Sequence, residues 1–307
     1  MGEVSKVLDV DVEAMFEVAC VNVVTRMLLN TTLEDPVLIN TYRRFIFTKP
    51  GLFPPDTTEV REKCFAMFRS VDKLKDLSSK FPESGLTEEE MFQEIVFVCC
   101  NNAGPGVCIF TINSLLTYLR LSQTDQDLLR VEADTLFARH NEGEGSVGDV
   151  LHSLPHVHAF FLEVLRLFAI PTVYGRAKKD FVLHSTSGNF SIREGQLLCG
   201  MPYFVSREEG LFPEGEPTVF NMHRGRSGDE FNFAYGGYYA KKAGVENHKC
   251  GGVMLSMVVV KMFVLMFTRC EFQVARPLIQ TGKNILRKYA ASDDKLSLLR
   301  FAYNGSK

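Results

Sequence analysis

The sequence predicts a mainly helical chain with a minor β component, which is an α+β class. Three long apolar runs support helices, Val12 to Leu29, Met91 to about Tyr118 and Val253 to Phe267, because runs of this length are typical of helices. Between them, His156 to Val182 predicts a helix, a break at a proline and then a strand. After about Glu271 the chain returns to strands and a polar tail.

The second apolar run has a recognisable start and an interrupted middle. Thr87 and Glu90 have the spacing of a capping box, in which each side chain satisfies a backbone N–H of the first turn. Further along, Pro105 removes a helix hydrogen bond, and the flanking Gly104 and Gly106 loosen the backbone. The sequence therefore predicts a long helix that bends at Pro105.

The bulk composition excludes some classes of protein. The chain has 307 residues, 46% of them apolar, and a net charge of −3. That supports a sizeable core and gives no electrostatic case for nucleic acid as a partner. No linker, low-complexity tract or repeat divides the sequence, so a single domain over residues 1–307 is expected.

The cysteines indicate the compartment. There are 8 of them, and their spacings lack the pattern of a secreted disulfide framework. Reduced thiols fit an intracellular protein, and the expected location is the cytoplasm. The sequence does not say whether the protein associates with a membrane.

Cys250 is the leading candidate for a metal ligand. A thiolate is a standard axial ligand of haem iron. Gly251 and Gly252 allow the backbone to approach a flat macrocycle, and the predicted helix from Val253 presents its positive end to a thiolate. The alternative for an isolated cysteine is a small buried core residue. The neighbouring motifs favour the ligand.

An ionic cluster is predicted upstream of Cys250. Glu163 and Arg166 lie three apart on the helix that begins near His156, so they share a face. Large apolar residues flank them, so burial is expected, and a buried guanidinium needs more than one partner. Arg224, further along the chain, is the candidate to complete the cluster.

Taken in order, Glu163-x-x-Arg166, Phe220-x-x-x-Arg224 and Cys250-x-Gly252 resemble the C-terminal part of a cytochrome P450. The resemblance implies that fold over its C-terminal two-thirds. It also implies haem b as cofactor, Cys250 as iron ligand, and a Glu–Arg–Arg cluster that locks the core around the haem. Because complete members of the superfamily are much longer, an N-terminal part is expected to be missing.

The loop around Cys250 resembles one branch of that superfamily. Residues 247–252 are similar to the Asn-Lys-Gln-Cys-Ala-Gly loop of the enzymes that act on fatty-acid hydroperoxides, and residues 171–181 resemble the same branch. His248 stands where monooxygenases carry an arginine. The resemblance implies that His248 hydrogen-bonds a haem propionate and that Gly252 lets the backbone approach the haem.

Residues 101–106 supply the mechanistic clue. In monooxygenases the corresponding helix carries an acid and a hydroxyl that deliver protons to dioxygen, whereas this chain has Gly106 and Val107 there. The hydroperoxide branch has Phe-Asn-Ala-Phe-Gly-Gly, which aligns without gaps. Asn102 falls on the branch's asparagine, so the resemblance implies that it holds the hydroperoxide oxygens.

The implied function is rearrangement of polyunsaturated fatty-acid hydroperoxides, with O–O cleavage and without dioxygen or a reductase. The small Gly104 and the lack of a base on that helix favour an epoxyalcohol synthase over an allene oxide synthase or hydroperoxide lyase. The alternatives are a reductase-dependent monooxygenase and a non-catalytic haem-binding fragment.

Overall fold

A computed structural model describes most of the chain. The described residues are 10–31, 57–97 with 99, 105–143, 145–168, 173–200, 202–210, 215–224, 253–270 and 297–298.

Ten α-helices, two 3₁₀ helices (Asp72–Leu74 and Pro82–Ser84) and six short strands are defined within the described residues. The helices are α1 (Val12–Leu29), α2 (Thr57–Arg69), α3 (Leu77–Lys80), α4 (Glu88–Phe97), α5 (Pro105–Tyr118), α6 (Gln123–Asn141), α7 (Val147–His152), α8 (Pro155–Leu167), α9 (Pro202–Val205) and α10 (Val253–Phe267). The strands are β1 (Val10–Asp11), β2 (Val173–Arg176), β3 (Phe181–Ser185), β4 (Gly188–Ile192), β5 (Leu197–Gly200) and β6 (Ser297–Leu298).

The strands form three antiparallel pairs rather than one large sheet. β1 pairs with β6, β2 pairs with β5, and β3 pairs with β4. The β3–β4 hairpin places Phe181 opposite Ile192 and Leu183 opposite Phe190. Because alternate residues of a strand share a face, these four apolar side chains lie on one side of the hairpin. The described strands are thus few and short in a mainly helical chain.

The chain divides into two compact units. One comprises Met1–Val157 and Met254–Lys307, and the other comprises His158–Val253. The prediction of a single domain over 1–307 stays a prediction.

Aromatic packing marks the core of the first unit. The ring of Phe16 on α1 meets Phe263 and Phe267 on α10 edge-on, with ring centroids 5.4 and 5.6 Å apart. Edge-to-face contacts of this kind are favourable because the positive rim of one ring faces the negative face of another. A separate buried cluster includes Phe68 of α2 and Phe92 of α4.

Local side chains explain where several helices begin. The Thr87 hydroxyl accepts a hydrogen bond from the Glu90 backbone N–H at 3.3 Å, and the Glu90 carboxylate accepts from the Thr87 N–H at 2.8 Å. This confirms the predicted capping box. Ser146 and Asp149 form a second one at the start of α7, and Ser122 caps α6 by accepting from the Asp125 N–H.

The predicted elements agree with the structure in class and largely in bounds. A mainly helical chain with minor β structure is confirmed, as are the helices over Val12–Leu29 and Val253–Phe267 and the strand that follows Pro171. The sequence predicts Pro105 in the interior of a long helix, whereas the structure places it at the first residue of α5. A proline fits that place since the first helical N–H has no partner to lose. The expected bend would fall on residues 100–104, which lie outside the described residues.

Within the described residues, no helix combines the length and the apolar character that a membrane span needs.

Candidate functional site

Helix α8 carries the first two members of the predicted ionic cluster. Glu163 and Arg166 lie one turn apart and are both buried, with side chains 4% and 0% exposed. The Arg166 Nε donates to Glu163 Oε2, and its Nη2 donates to Glu163 Oε1, each at 2.7 Å. Such a bidentate ion pair fixes the orientation of both groups as well as the distance between them.

The remaining donors of Arg166 reach the backbone beyond α9. Its Nη1 donates to the carbonyl oxygens of Ser206 and Pro217, both at 2.6 Å, and its Nη2 lies 3.4 Å from the Val219 carbonyl. A buried guanidinium without partners would be strongly destabilising. Here one side chain satisfies carbonyls that are up to 13 residues apart in sequence, so it holds Ser206, Pro217 and Val219 around the end of α8.

Arg224 completes the cluster. Its Nε lies 3.3 Å from Glu163 Oε1, and its side chain is 2% exposed. Its Nη2 donates to the carbonyls of Glu216 and Val219 at 3.1 and 3.2 Å. The backbone N–H of Asn221 also donates to Glu163 Oε1, at 3.0 Å. The structure therefore brings together the three residues that the sequence singled out, and both guanidinium groups share one carboxylate.

Apolar packing surrounds this cluster. Phe160 and Phe220 lie with ring centroids 5.3 Å apart, and Phe160 and Phe161 on α8 are both buried. Because water is excluded, each charged hydrogen bond is stronger than it would be at the surface, and each lost partner is more costly.

The other predicted site residues lie outside the described residues. These are Asn102, His248, Cys250 and Gly252, so their proposed roles stay predictions. The structure does describe α10, which begins three residues after Cys250. A helix at this place presents free N–H groups and a positive dipole end towards the residues that precede it.

The chemistry of the cysteines bears on whether a haem fits. Iron in haem takes a thiolate, and only a deprotonated sulfur is a good ligand. Burial raises the pKa of the Cys99 thiol to about 12 and that of Cys270 to about 11, so both stay protonated at neutral pH. Cys250 lies outside the described residues; in the sequence it is followed by two glycines and then by α10, so its role as the thiolate ligand stays a prediction.

The sequence interpretation missed two buried charged residues near α10. Lys261 lies in the middle of α10 and is 0% exposed, and Glu132 on α6 is 6% exposed. The available signal was a single lysine in an otherwise apolar helix. The sequence alone does not distinguish a lysine buried against a partner from one whose chain extends to the surface.

The chain was compared with known proteins. No family model matches it. A chloroplastic allene oxide synthase of Solanum lycopersicum is 27% identical over 203 residues, which is 63% of this chain and 38% of that protein. A divinyl ether synthase of Selaginella moellendorffii is 28% identical over 235 residues, 73% of this chain and 47% of that protein.

A third relative is described as a probable inactive linolenate hydroperoxide lyase of Arabidopsis thaliana. It is 30% identical over 158 residues, 50% of this chain and 40% of that protein. The chain thus spans less than half the length of each of these three relatives.

Solved structures identify the fold. The haem domain of cytochrome P450DA superposes with a TM-score of 0.65 at 14% sequence identity, covering 96% of this chain and 67% of that domain. An identity this low supports the fold and nothing finer. The prediction from the motifs is confirmed on both counts: the chain has the cytochrome P450 fold, and it resembles the branch of allene oxide synthases, hydroperoxide lyases and divinyl ether synthases.

Proposed function

We propose that the protein is a haem-thiolate enzyme that rearranges polyunsaturated fatty-acid hydroperoxides by cleaving their O–O bond. The observation that carries this proposal is the set of relatives, whose names include an allene oxide synthase and a divinyl ether synthase. The buried cluster of Glu163, Arg166 and Arg224 supports it, because the chain retains the ionic core that its motifs predicted.

The proposed cofactor is haem b. A thiolate-ligated haem, when bound, supplies the O–O cleavage. In the proposal Cys250 binds the iron, His248 hydrogen-bonds a propionate and Gly252 permits close approach of the backbone. Asn102 orients the hydroperoxide, because its amide group can both donate and accept a hydrogen bond.

The proposed product is an epoxyalcohol. In the proposal the small Gly104 leaves room on the reacting face of the haem, and residues 101–107 include no side chain that could remove a proton. Without such a base, loss of a proton to give an allene oxide is disfavoured, and return of the hydroxyl to carbon is favoured. An allene oxide or a pair of aldehydes remains the alternative product.

The proposal includes no reductase. A substrate that already contains its O–O bond needs neither dioxygen nor external electrons, and Gly106 and Val107 replace the side chains that deliver protons to dioxygen in monooxygenases. The proposed partner is therefore only the hydroperoxide. The proposed location is intracellular, in the cytoplasm, since the cysteine spacings suit a reducing compartment.

A second candidate is a non-catalytic haem-binding protein. One relative is itself named as a probable inactive linolenate hydroperoxide lyase, which is the observation in favour of this candidate. The reductase-dependent monooxygenase has no comparable support.

The test is haem reconstitution of the purified chain, followed by anaerobic addition of a polyunsaturated fatty-acid hydroperoxide without NADPH. Loss of conjugated-diene absorbance with an epoxyalcohol product would support the proposal. Haem binding without turnover would favour the non-catalytic candidate, and turnover that requires NADPH and a reductase would favour the monooxygenase.

Two variants test the residues. Cys250→Ser should abolish the thiolate-type Soret band, whereas Cys199→Ser, at an exposed thiol, should not change it. Asn102→Ala should slow hydroperoxide turnover by roughly tenfold to a hundredfold, the scale of one or two hydrogen bonds in the transition state. The neighbouring Asn101→Ala is the matched control, and equal turnover in both variants would exclude Asn102.

A further inference from the structure

Helix α8 begins without a capping residue of its own. Leu154, which precedes it, has an apolar side chain, and Pro155 has no N–H. The first N–H groups of α8 therefore belong to His156 and Val157, and groups at this place need an acceptor from elsewhere.

Glu132 of α6 is that acceptor. Its Oε1 accepts from the His156 N–H and its Oε2 from the Val157 N–H, both at 2.7 Å, across 24 and 25 residues of sequence. A carboxylate at a helix N-terminus is stabilised by the aligned peptide dipoles. Both oxygens of this buried carboxylate thus fix the first turn of α8 to α6.

Lys261 of α10 reaches the residues that lead into the same turn. Lys261 is fully buried, and its Nζ donates to the carbonyl of Leu151 in α7 at 3.3 Å. Burial lowers the pKa of Lys261 to about 8, and the charge of Glu132 acts in the opposite direction by favouring the ammonium form. An ammonium has three donors, so a nearby negative charge is needed where water is excluded.

An exposed contact also ties the end of α10 to α6. The guanidinium of Arg269, two residues after α10, pairs with Asp134 and lies over the ring of Phe137, 5.0 Å from its centroid. Asp134 is 61% exposed in its side chain, so this contact is weaker than a buried one.

We propose that Glu132 is a positioning residue that, together with Lys261, holds the junction of α7 and α8: Glu132 of α6 binds the N–H groups of His156 and Val157, and Lys261 of α10 binds the carbonyl of Leu151. The helix that carries Glu163 and Arg166 begins at this junction, and the helix that follows Cys250 carries Lys261. The link to the ligand rests on the proposed function, whereas the coupling between α8, α6 and α10 does not.

The experiment uses a double-mutant cycle on the full chain, with Glu132→Gln, Lys261→Met and the combined variant. Glu132→Gln leaves Lys261 without its countercharge and places an amide N–H₂ against a helix N–H. The ratio of folded to unfolded chain should fall by at least tenfold. In the combined variant, the ratio of folded to unfolded chain should fall at least fivefold less than the product of the decreases in the two single variants. The reason is that neither buried charge is then left alone.

The pH dependence distinguishes positioning from a simple loss of packing. Glu132→Gln should move the deprotonation of Lys261 to lower pH, since the attraction that holds the proton is gone. Glu132→Asp keeps the charge and should retain the native pH profile even if the shorter side chain weakens the cap. Glu142→Gln, at an exposed residue just after α6, is the matched control. If Glu132→Gln does not fold, Glu132→Asp and Lys261→Met are compared with the native chain in its place.

Additive losses in the cycle, together with an unchanged pH profile, would overturn the proposal. Haem reconstitution then tests whether Glu132 affects the thiolate ligand of the iron. In chain that has taken up haem, Glu132→Gln should reduce the fraction with a thiolate-type Soret band by at least half, and Glu142→Gln should leave it unchanged. An unchanged band in Glu132→Gln would overturn the link to the ligand. Coupling in a native chain that takes up no haem would refute the proposed function while supporting the role of Glu132 in the fold.

Discussion

Arg166 and Lys261 are both cations that lie fully buried in the protein, yet their surroundings differ. Arg166 makes two bonds to Glu163 at 2.7 Å and donates to two backbone carbonyls at 2.6 Å. Lys261 donates to one carbonyl at 3.3 Å, and its countercharge, Glu132, already uses both oxygens on the backbone of α8.

The difference follows from the two side chains. A guanidinium offers five donors in a planar fork and stays protonated, so full burial requires many fixed acceptors. An ammonium is a compact charge that can lose its proton when it is buried. Arg166 therefore organises the backbone around it, whereas Lys261 can adapt to pH. Substitutions of the two residues should therefore differ in the size of their effect and in its dependence on pH.

Arg166→Leu should have the largest effect. It leaves Glu163 partly uncompensated and removes the donors to Ser206 and Pro217. Loss of one partner of a buried pair costs about 3–5 kcal/mol. Chemical unfolding should show this loss, and weaker haem retention should accompany it.

The chain supplies a control for this variant. Asp127 and Arg130 on α6 have the same i, i+3 spacing, but their side chains are 52% and 45% exposed. Arg130→Leu should cost at most about 1 kcal/mol. Equal losses in the two variants would mean that burial is not what makes the Arg166 pair important.

The pH dependence of the contribution that Lys261 makes to stability should be next in size. The pKa of Lys261 falls from 10.5 in the free side chain to about 8 in the folded chain because burial disfavours the charge. Between these values the unfolded chain binds more protons, so the contribution of Lys261 to the free energy of unfolding increases with pH. The increase reaches at most about 3 kcal/mol.

Lys261→Met is the comparison that isolates this contribution. Cys99 acts in the opposite sense: its pKa rises from 9.0 to about 12, so its contribution to stability falls as pH increases above 9. The contribution of Cys99 is the same in the native chain and in Lys261→Met, so it cancels when the two free energies of unfolding are subtracted. The free energy of unfolding of the native chain is compared with that of Lys261→Met. A difference that stays constant from pH 7 to about pH 10.5 would contradict the assignment to Lys261.

Arg224→Met should have the smallest effect of the three. Glu163 keeps both of its bonds to Arg166 and the Asn221 N–H, so its charge remains compensated. The carbonyls of Glu216 and Val219 lose a donor, which gives an expected cost of about 1–2 kcal/mol. Unfolding of the Arg166→Leu and Arg224→Met variants side by side measures the ranking, and a larger loss in Arg224→Met would reverse it.

The helices and the ionic pair could be predicted from the sequence because each depends on local spacing. Thr87 and Glu90 define a helix start, and Glu163 and Arg166 face the same way because they lie one turn apart. The choice of Arg224 rests on the need of a buried guanidinium for a further partner and on the family motif, since nothing local relates it to Glu163, 61 residues earlier.

Other features depend on contacts that no local pattern encodes. The carbonyls bound by Arg166 come from Ser206 and Pro217, whose side-chain identities give no sign of this use. Likewise, an apolar residue before α8 says that a cap is missing but not that Glu132 supplies it. Both features depend on how distant segments of the chain meet in three dimensions.

The network around Arg166 has a consequence for natural variation. It recognises the carbonyl groups of Ser206, Pro217 and Val219 rather than their side chains, and every amino acid supplies a carbonyl. Substitutions at these three positions can therefore accumulate as long as the backbone keeps each carbonyl in place. Homologues should accordingly differ in amino-acid identity at the acceptor positions while they keep the arginine that binds them.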